Sequence, residues 1–273
     1  MSLNVSVVIP VFNGESTIER AIRSVVEQTR SVLEIIVIND ASSDATGVVL
    51  ERLAQASKVP LNMVTNSRNA GPGVSRNAGW SIARGHLIAF LDADDVWHPQ
   101  KLEIQVPLFE SYPELVMACH DRSVGAKPLW QKIDSTGVKW REFAFGHFLI
   151  RNRCATPSVV VRKSIPERFT TSLRYAEDFH LWLTLTSTYG PASYTPEVLV
   201  HCANPSYGGM GLSGNLWMMF KSEIRALLLL TKSARLSWLM LPLVIAWSSL
   251  KFGVRVVDNR VLRNRLQTVS ESR

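Results

Sequence analysis

Residues 86–95 read His-Leu-Ile-Ala-Phe-Leu-Asp-Ala-Asp-Asp, an apolar run that ends in three carboxylates within four positions. Such a run is typical of a buried strand, and carboxylates at its end need a partner, because burying an unpaired charge costs free energy. We expect that partner to be a divalent cation with a phosphorylated ligand. The alternative is a polar turn that caps the next helix, since Asp is common at helix caps.

The segments before this stretch alternate between strand and helix patterns. Ser16 with Glu19 forms a capping box that predicts the start of the first helix, and Gly85 predicts the end of the third. Strands joined through helices by short connections predict a parallel sheet with right-handed crossovers, an α/β fold. Strands are predicted at residues 5–12, 34–38, 61–64 and 86–91, with helices at 16–26, up to 56, and 74–84.

Polar clusters follow three of these strands, at residues 10–15, 39–44 and 92–95. Ligands of open α/β sheets bind beyond the carboxyl ends of the strands, which favours a nucleotide site there. Neither G-x-x-x-x-G-K-[ST] nor G-x-G-x-x-G follows the first strand, so an NTPase or NAD enzyme is disfavoured. Without a glycine cradle, a metal held by carboxylates would neutralise the phosphates.

The strand ends and the loop after the third strand contain four segments in order: VIPVFN at 8–13, INDASSD at 38–44, NAGPGVSRNAG at 69–79 and DADD at 92–95. In these segments residues 5–100 resemble the nucleotide-binding half of the inverting family 2 glycosyltransferases, which have the GT-A fold. The chain departs from the family pattern mildly, with Phe12 where Tyr is frequent and Asn39 where Asp is frequent. The resemblance implies a Rossmann-like, mostly parallel sheet flanked by helices, with a donor half at 1–100 and an acceptor and base half at 101–212.

The resemblance also implies roles on the donor side. Asp40 accepts a hydrogen bond from the nucleobase, Asp92 bonds the ribose or donor sugar, and Asp94 ligates Mg²⁺ or Mn²⁺ on the diphosphate. Arg76 lies near the donor phosphate or sugar. The alternatives are a helix cap for Asp40 and for Asp44, and a surface cation for Arg76. The residues that wall the base are Pro10, Val11 and Asn13.

Glu177 and Asp178 open an amphipathic helix, where acidic residues are often present only to complement the helix dipole. By the same resemblance Asp178 is the general base, and Glu177 positions it or the acceptor. Inversion by one in-line displacement requires a group that takes the proton of the acceptor hydroxyl. His201, which follows an apolar run, is a further candidate metal or phosphate ligand, with a structural role as the alternative.

The patterns beyond residue 100 are less regular, and residues 121–140 receive no assignment. Glycine-rich residues 204–213 predict either a mobile loop over the donor or a plain linker. Further helices are predicted at 102–109 and 143–149, and strands at 115–118 and 156–161.

The three cysteines are far apart and odd in number, which predicts neither zinc nor a disulfide framework and fits a reducing compartment. The N-terminal residues lack the basic region and long apolar core of a cleaved signal peptide. Residues from 221 onward carry ten basic and three acidic side chains, which accounts for the whole net charge of +7. A basic tail suits an anionic membrane or a nucleic acid.

The tail, residues 213–273, contains apolar helical runs at 216–230 and 236–250. The second run is shorter than the ~20 residues that span a bilayer, and it contains Pro242. With Trp238 and Trp247 beside flanking cations, we expect helices that lie on the membrane surface. Aliphatic runs disfavour nucleic acid as a partner. Packing on the catalytic domain, or an interface of a homo-oligomer, are the alternatives.

The sequence therefore predicts a Mn²⁺- or Mg²⁺-dependent inverting glycosyltransferase on the cytoplasmic face of the cell membrane. Its donor would be a nucleoside diphosphate hexose or N-acetylhexosamine, with UDP favoured. Its acceptor would be a saccharide hydroxyl, carried on a lipid, in bacterial surface-polysaccharide assembly. The alternatives are an inactive membrane-associated protein that binds sugar nucleotides as a scaffold, and a nucleotidyltransferase.

Overall fold

The computed structural model describes residues 2–125, 130–203 and 214–271, with side chains described up to residue 258. Its first four strands are parallel and stand in the order β3-β2-β1-β4. The strands are β1 Val5–Val11, β2 Glu34–Asn39, β3 Leu61–Thr65 and β4 Leu87–Phe90. The crossover helices are α1 Ile18–Val26, α2 Thr46–Ala56 and α3 Pro72–Ile82. The predicted α/β organisation of this half is confirmed.

Every residue of β1, β2 and β4 is buried, because both faces of the sheet are covered. Successive side chains of these strands point to opposite faces of the sheet and belong to two different hydrophobic clusters. Val8, Ile36 and Phe90 belong to one cluster, and Val7 and Ile9 belong to the other. This burial on both faces explains why the strands are continuous apolar runs. Because β1, β2 and β4 are parallel, the three polar clusters that follow them lie at the same edge of the sheet.

Two predicted helix boundaries are wrong. Thr17, not Ser16, precedes α1, no side chain caps this helix, and Glu19 instead pairs with Arg52 at 2.6 Å. α3 ends at Ile82, before Gly85. A Cβ on Gly85 would lie 2.6 Å from the backbone nitrogen of Ser6, so this glycine permits close approach to β1 rather than ending a helix.

The second half of the sheet is mixed, so the predicted mostly parallel sheet is wrong for this half. β8 lies between β4 and β6 and is antiparallel to both, whereas β9 is parallel to β6. The full order is β3-β2-β1-β4-β8-β6-β9-β5, with β7 also on β9. The added strands are β5 Val96–Trp97, β6 Met117–Val124, β7 Arg141–Phe143, β8 Val160–Arg162 and β9 Ala192–Cys202.

Helices α4 Lys101–Ser111, α5 Phe145–Ile150 and α6 Glu177–Tyr189 complete this half. The predicted strand at 156–161 begins instead as a 3-10 turn, Thr156–Ser158. Residues 121–140, which received no assignment, contain the last four residues of β6, at positions 121–124. The predicted loop at 204–213 lies outside the described residues.

Cys119 of β6 and Cys154 form a disulfide, so the expectation of no disulfide is wrong for this pair. The two residues are 35 positions apart, and the fold brings the segment before the 3-10 turn against β6. The third cysteine, Cys202, is buried and free.

The tail forms α7 Leu216–Lys232 and α8 Leu241–Glu271. Leu227 and Leu230 of α7 and Val244 of α8 are buried in the same cluster as residues of α6, so the tail packs against the catalytic body. None of the helices in the described part of the chain is long and apolar enough to cross a membrane. The tail nevertheless carries an exposed apolar stripe, which we define as Trp238, Leu239, Met240, Leu243, Trp247, Leu250, Val254 and Val257.

Candidate active site

One cleft of about 830 Å³ contains every predicted site residue except His201. It opens at the carboxyl ends of β1, β2 and β4 and at the start of α6. The predicted residues that line it are Pro10, Val11, Asn13, Asp40, Arg76, Asp92, Asp94, Glu177 and Asp178.

Asn13 connects the loops that follow β1 and β2. Its backbone is left-handed, with φ of 51°, and its Oδ1 accepts from the backbone N–H of Ser43 at 2.9 Å. Its own N–H donates to Ser42 Oγ at 2.9 Å. These bonds fix the end of β1, where Pro10 and Val11 form one wall of the cleft.

Asp40 is buried and does not cap α2. Its Oδ1 accepts from Asn66 at 2.7 Å, and its Oδ2 accepts from the backbone N–H of Gly71 at 2.8 Å. Asp44 takes the helix-cap role instead, because it accepts from the backbone N–H of Thr46 at 3.0 Å. A carboxylate has about four acceptor positions, so Asp40 can hold the loop before α3 and still accept from a ligand.

Arg76, on α3, is only 5% exposed, so the surface-cation alternative is wrong. Its guanidinium donates to Asp92 at 2.6 Å and to Glu177 at 2.9 Å. It therefore connects the acidic segment after β4 to the acid pair on α6, across about one hundred positions of sequence.

Glu177 and Asp178 differ in their surroundings. Glu177 is buried behind Arg76, whereas Asp178 is partly exposed. Asp178 Oδ2 accepts from Thr156 Oγ1 at 3.1 Å, and its Oδ1 accepts from the backbone N–H of Phe179 at 2.7 Å. Burial raises the pKa of Asp178, and the positive charge of Arg76 opposes that rise. Burial and then the charge of Asp178 raise the pKa of Glu177 to about 7.

The acidic segment, which we define as residues 92–95 after β4, is held at both ends by contacts with other parts of the fold. The backbone carbonyl of Asp94 accepts from Arg20 at 2.7 Å. Asp95 is buried and accepts from Cys202 Sγ at 3.2 Å and from the backbone N–H of Ala203 at 3.3 Å. Burial, followed by the charges of Asp92 and Asp94, raises the pKa of Asp95 to about 8. These contacts indicate a structural role for Asp95, which lines the cleft together with Asp92 and Asp94.

The family model for glycosyl transferase family 2 matches residues 6–167, more than half of the chain. The chain belongs to this family.

Individual relatives agree with this assignment. An uncharacterized glycosyltransferase of Nostoc is 38% identical over 109 residues, which are 40% of this chain but only 34% of the relative. The Escherichia coli enzyme named UDP-Glc:alpha-D-GlcNAc-diphosphoundecaprenol beta-1,3-glucosyltransferase WfgD is 28% identical over 66% of this chain and 69% of its own.

A solved structure confirms the GT-A fold of this family 2 chain. The mannosyltransferase PcManGT of Pyrobaculum calidifontis, in complex with GDP-Man and Mn²⁺, superimposes with a TM-score of 0.65. The match covers 99% of this chain and 81% of the mannosyltransferase at 16% identity, so it concerns the fold alone.

The donor set of this family 2 chain fits a metal that is shared with a substrate. Within residues 2–125, 130–203 and 214–258, no three His, Cys, Asp or Glu side chains converge as a complete metal site. Asp94 and Asp92 offer carboxylate oxygens, the ligands of Mg²⁺ and Mn²⁺. Mg²⁺ commonly takes one or two carboxylates and completes its shell with substrate phosphates and water, so two carboxylates suffice.

His201 does not join this set, and its predicted metal role is withdrawn. Its Nδ1 lies 2.9 Å from Ser123 Oγ, and its Nε2 lies 2.9 Å from the carbonyl oxygen of Gly125. Both ring nitrogens are therefore used within the protein, which is the structural role that stood as the alternative.

Several cleft residues were missed by sequence reasoning. Thr156, which bonds the candidate base, carries no local signal, because a Thr-Pro pair usually indicates only a turn. Arg174 donates to Asn69 at 2.7 Å, and it too has no local sequence signal that indicates a place in the cleft. Lys251 and Arg255 of α8 are two of the ten basic residues of the tail for which a membrane was the expected partner, and both line the cleft.

Proposed function

We propose that this protein is a metal-dependent inverting glycosyltransferase. It moves a sugar from a nucleoside diphosphate sugar, with UDP favoured, to a hydroxyl of a saccharide acceptor that is carried on a lipid. The observation that carries the proposal is the junction at Arg76, which holds the acidic donor segment and the acid pair of α6 in one cleft.

On the donor side, Pro10, Val11 and Asn13 wall the nucleobase, and Asp40 accepts from its ring N–H. Asp92 bonds the ribose or donor sugar, with its orientation fixed by Arg76. Asp94, with Asp92 beside it, would hold Mn²⁺ or Mg²⁺. When bound, that ion supplies charge stabilisation to the departing diphosphate.

On the acceptor side, Asp178 takes the proton of the attacking hydroxyl as the hydroxyl oxygen displaces the nucleoside diphosphate from the anomeric carbon. Thr156 and the N–H of Phe179 orient its carboxylate. Glu177 acts as a positioning residue through Arg76. A single displacement with a general base needs no covalent intermediate on the protein.

A lipid-linked acceptor is supported by two observations. The E. coli relative is named for an acceptor on diphosphoundecaprenol. The tail of this chain presents its apolar stripe to solvent, with Leu239 87% and Leu243 65% exposed. Amphipathic helices with an exposed apolar face bind membrane surfaces, which supports the proposal that the protein acts at the cytoplasmic face of the membrane in surface-polysaccharide assembly.

Replacement of the base tests the reaction. Asp178→Asn should lower sugar transfer by about 10²–10⁴-fold, the usual contribution of a general base. Its affinity for UDP with Mn²⁺, measured by calorimetry, should stay within about twofold of that of the original protein. Glu142→Gln, at an exposed carboxylate on β7, is the matched control and should transfer normally.

Unchanged turnover in the Asp178→Asn variant would refute the base assignment. An original protein that binds UDP but transfers no sugar would support the scaffold alternative. Release of pyrophosphate from UTP and a sugar 1-phosphate would support a nucleotidyltransferase.

A further inference from the structure

The tail forms part of the cleft wall. Met219 and Glu223 of α7 and Lys251 and Arg255 of α8 line the same cleft as the candidate base. Glu223 is the centre of this group: its carboxylate lies 2.9 Å from Lys251 Nζ and 3.5 Å from an Arg255 guanidinium nitrogen. The family model stops at residue 167, so it does not reach these four residues.

The group places two cations beside a carboxylate at a site that is mostly shielded from water. The side chains of Lys251 and Arg255 are 16% and 22% exposed, and both lie within 3.5 Å of the Glu223 carboxylate. An anion that enters the cleft at this place would meet cations that are less screened by solvent than cations on the open surface. Ser248 also donates to Glu223 at 2.8 Å, so the single carboxylate is shared among three donors.

Lys251 and Arg255 differ in position from cations that only contact a membrane. They face the cleft, whereas the apolar stripe of the same helix faces solvent at Trp247, Leu250 and Val254. Trp247 and Lys251 are also fastened to α5, through the carbonyl oxygens of Ile150 at 3.0 Å and Leu149 at 3.5 Å. A molecule with an anionic head in the cleft would therefore have an apolar surface immediately beside it.

We propose that Lys251 and Arg255, held by Glu223, bind the phosphate or diphosphate of the lipid-linked acceptor, and that the lipid runs along the apolar stripe. Lys and Arg are the side chains that recognise phosphate through charge-assisted hydrogen bonds. This inference rests on the proposed function and adds to it the substrate class: an acceptor whose saccharide is joined to a lipid through phosphate. The tail thus selects the acceptor and does more than hold the protein at a membrane.

The test uses the full chain with two probes, farnesyl diphosphate and uncharged farnesol, in the presence of saturating UDP and Mn²⁺. Lys251→Gln should weaken the binding of farnesyl diphosphate about tenfold, the loss of one charge-assisted hydrogen bond. Binding of farnesol and of UDP should not change. Arg225→Gln removes an exposed cation of α7 that does not line the cleft, and is the matched control.

A second variant changes affinity in the opposite direction, which misfolding cannot produce. Glu223→Gln keeps an oxygen that accepts from Lys251 but removes the negative charge that opposes a phosphate, and it should tighten the binding of farnesyl diphosphate about threefold.

Three results would overturn the inference: unchanged binding in Lys251→Gln, an equal loss in Arg225→Gln, or farnesyl diphosphate that binds without UDP but not in the presence of saturating UDP. The last result would assign the cations to the donor diphosphate. Absence of UDP binding or of transfer by the original protein would instead refute the proposed function.

Discussion

At the scale of single residues, Asp94 and Asp95 are neighbours with different tasks. Asp94→Asn should lower metal-stimulated transfer at least about a hundredfold, because the proposed metal ligand is lost. Asp95→Asn should keep most of the activity, since its amide oxygen can accept from the N–H of Ala203, its amide N–H can donate to Cys202 Sγ, and the raised pKa of Asp95 already favours the neutral acid at pH 7. Transfer rates titrated with Mn²⁺ measure both effects, and equal losses would contradict the division.

Arg76 controls the charge around the base, and this gives a prediction about pH. Asp178 accepts a proton only when it is ionised, so kcat/KM should rise with pH through its pKa. Burial raises that pKa above the usual 3.8, and Arg76 restrains the rise. Arg76→Gln should therefore move the acidic limb of the pH profile to higher pH. Arg76→Lys keeps the charge and is the control; a limb that moves equally in both variants would contradict the electrostatic role.

At the scale of elements, two glycines on different helices should respond oppositely to alanine. A Cβ on Gly79 of α3 would lie 2.5 Å from Val8 Cγ1, so Gly79→Ala should destabilise the fold by about 1–3 kcal/mol through overpacking. A Cβ on Gly47 of α2 meets nothing within 4 Å, and Gly47→Ala should stabilise the fold by about 0.5–1 kcal/mol. Urea unfolding measures both, and a shared sign would contradict the packing.

Sequence patterns predicted the elements whose hydrophobic pattern agrees with their burial in the folded protein. β1, β2 and β4 are long apolar runs because helices bury both faces. β5 could not be predicted, because Val96 and Trp97 form a strand only by pairing with His201 and Val200 of β9. The register of β6 against β9 shifts between His120 and Arg122, so apolar and polar residues do not alternate regularly along this strand.

Sequence patterns predicted the part of the candidate site that directly follows a strand. They missed the parts that form where elements distant in the sequence pack together. Asp94 lies directly after β4, so the sequence alone indicates an acidic site there. Asp178 was assigned by resemblance, because two acids in a first helical turn are otherwise explained by the dipole. The contacts of Arg76 with both acidic segments, and the direction in which Lys251 points, depend on how α3, α6 and α8 pack.

At the scale of the whole molecule, we expect the apolar stripe to dock on membranes. Deleting the tail is a poor test, because it would uncover Leu227 and Leu230 of the core. Leu239→Glu with Leu243→Glu should instead reduce pelleting with phosphatidylglycerol vesicles at least about tenfold, since two exposed leucines lose their burial in lipid. Val48→Glu, at a 70% exposed position of α2, is the control.

Unchanged pelleting of the double variant would refute membrane docking by this stripe. Sedimentation of the original protein as a dimer, with dissociation in the double variant, would assign the stripe to contact between copies of the chain.

The acidic segment links the centre of the sheet to its far edge, and this affects the order of events during synthesis. β4 precedes the segment, β5 after it pairs with β9, and Asp95 accepts hydrogen bonds from Cys202 and Ala203. During synthesis the acidic segment therefore gains its last contacts only after Ala203 has left the ribosome, and by then Asp178 has already been translated. A chain that stops before β9 should bind UDP more weakly than the full chain.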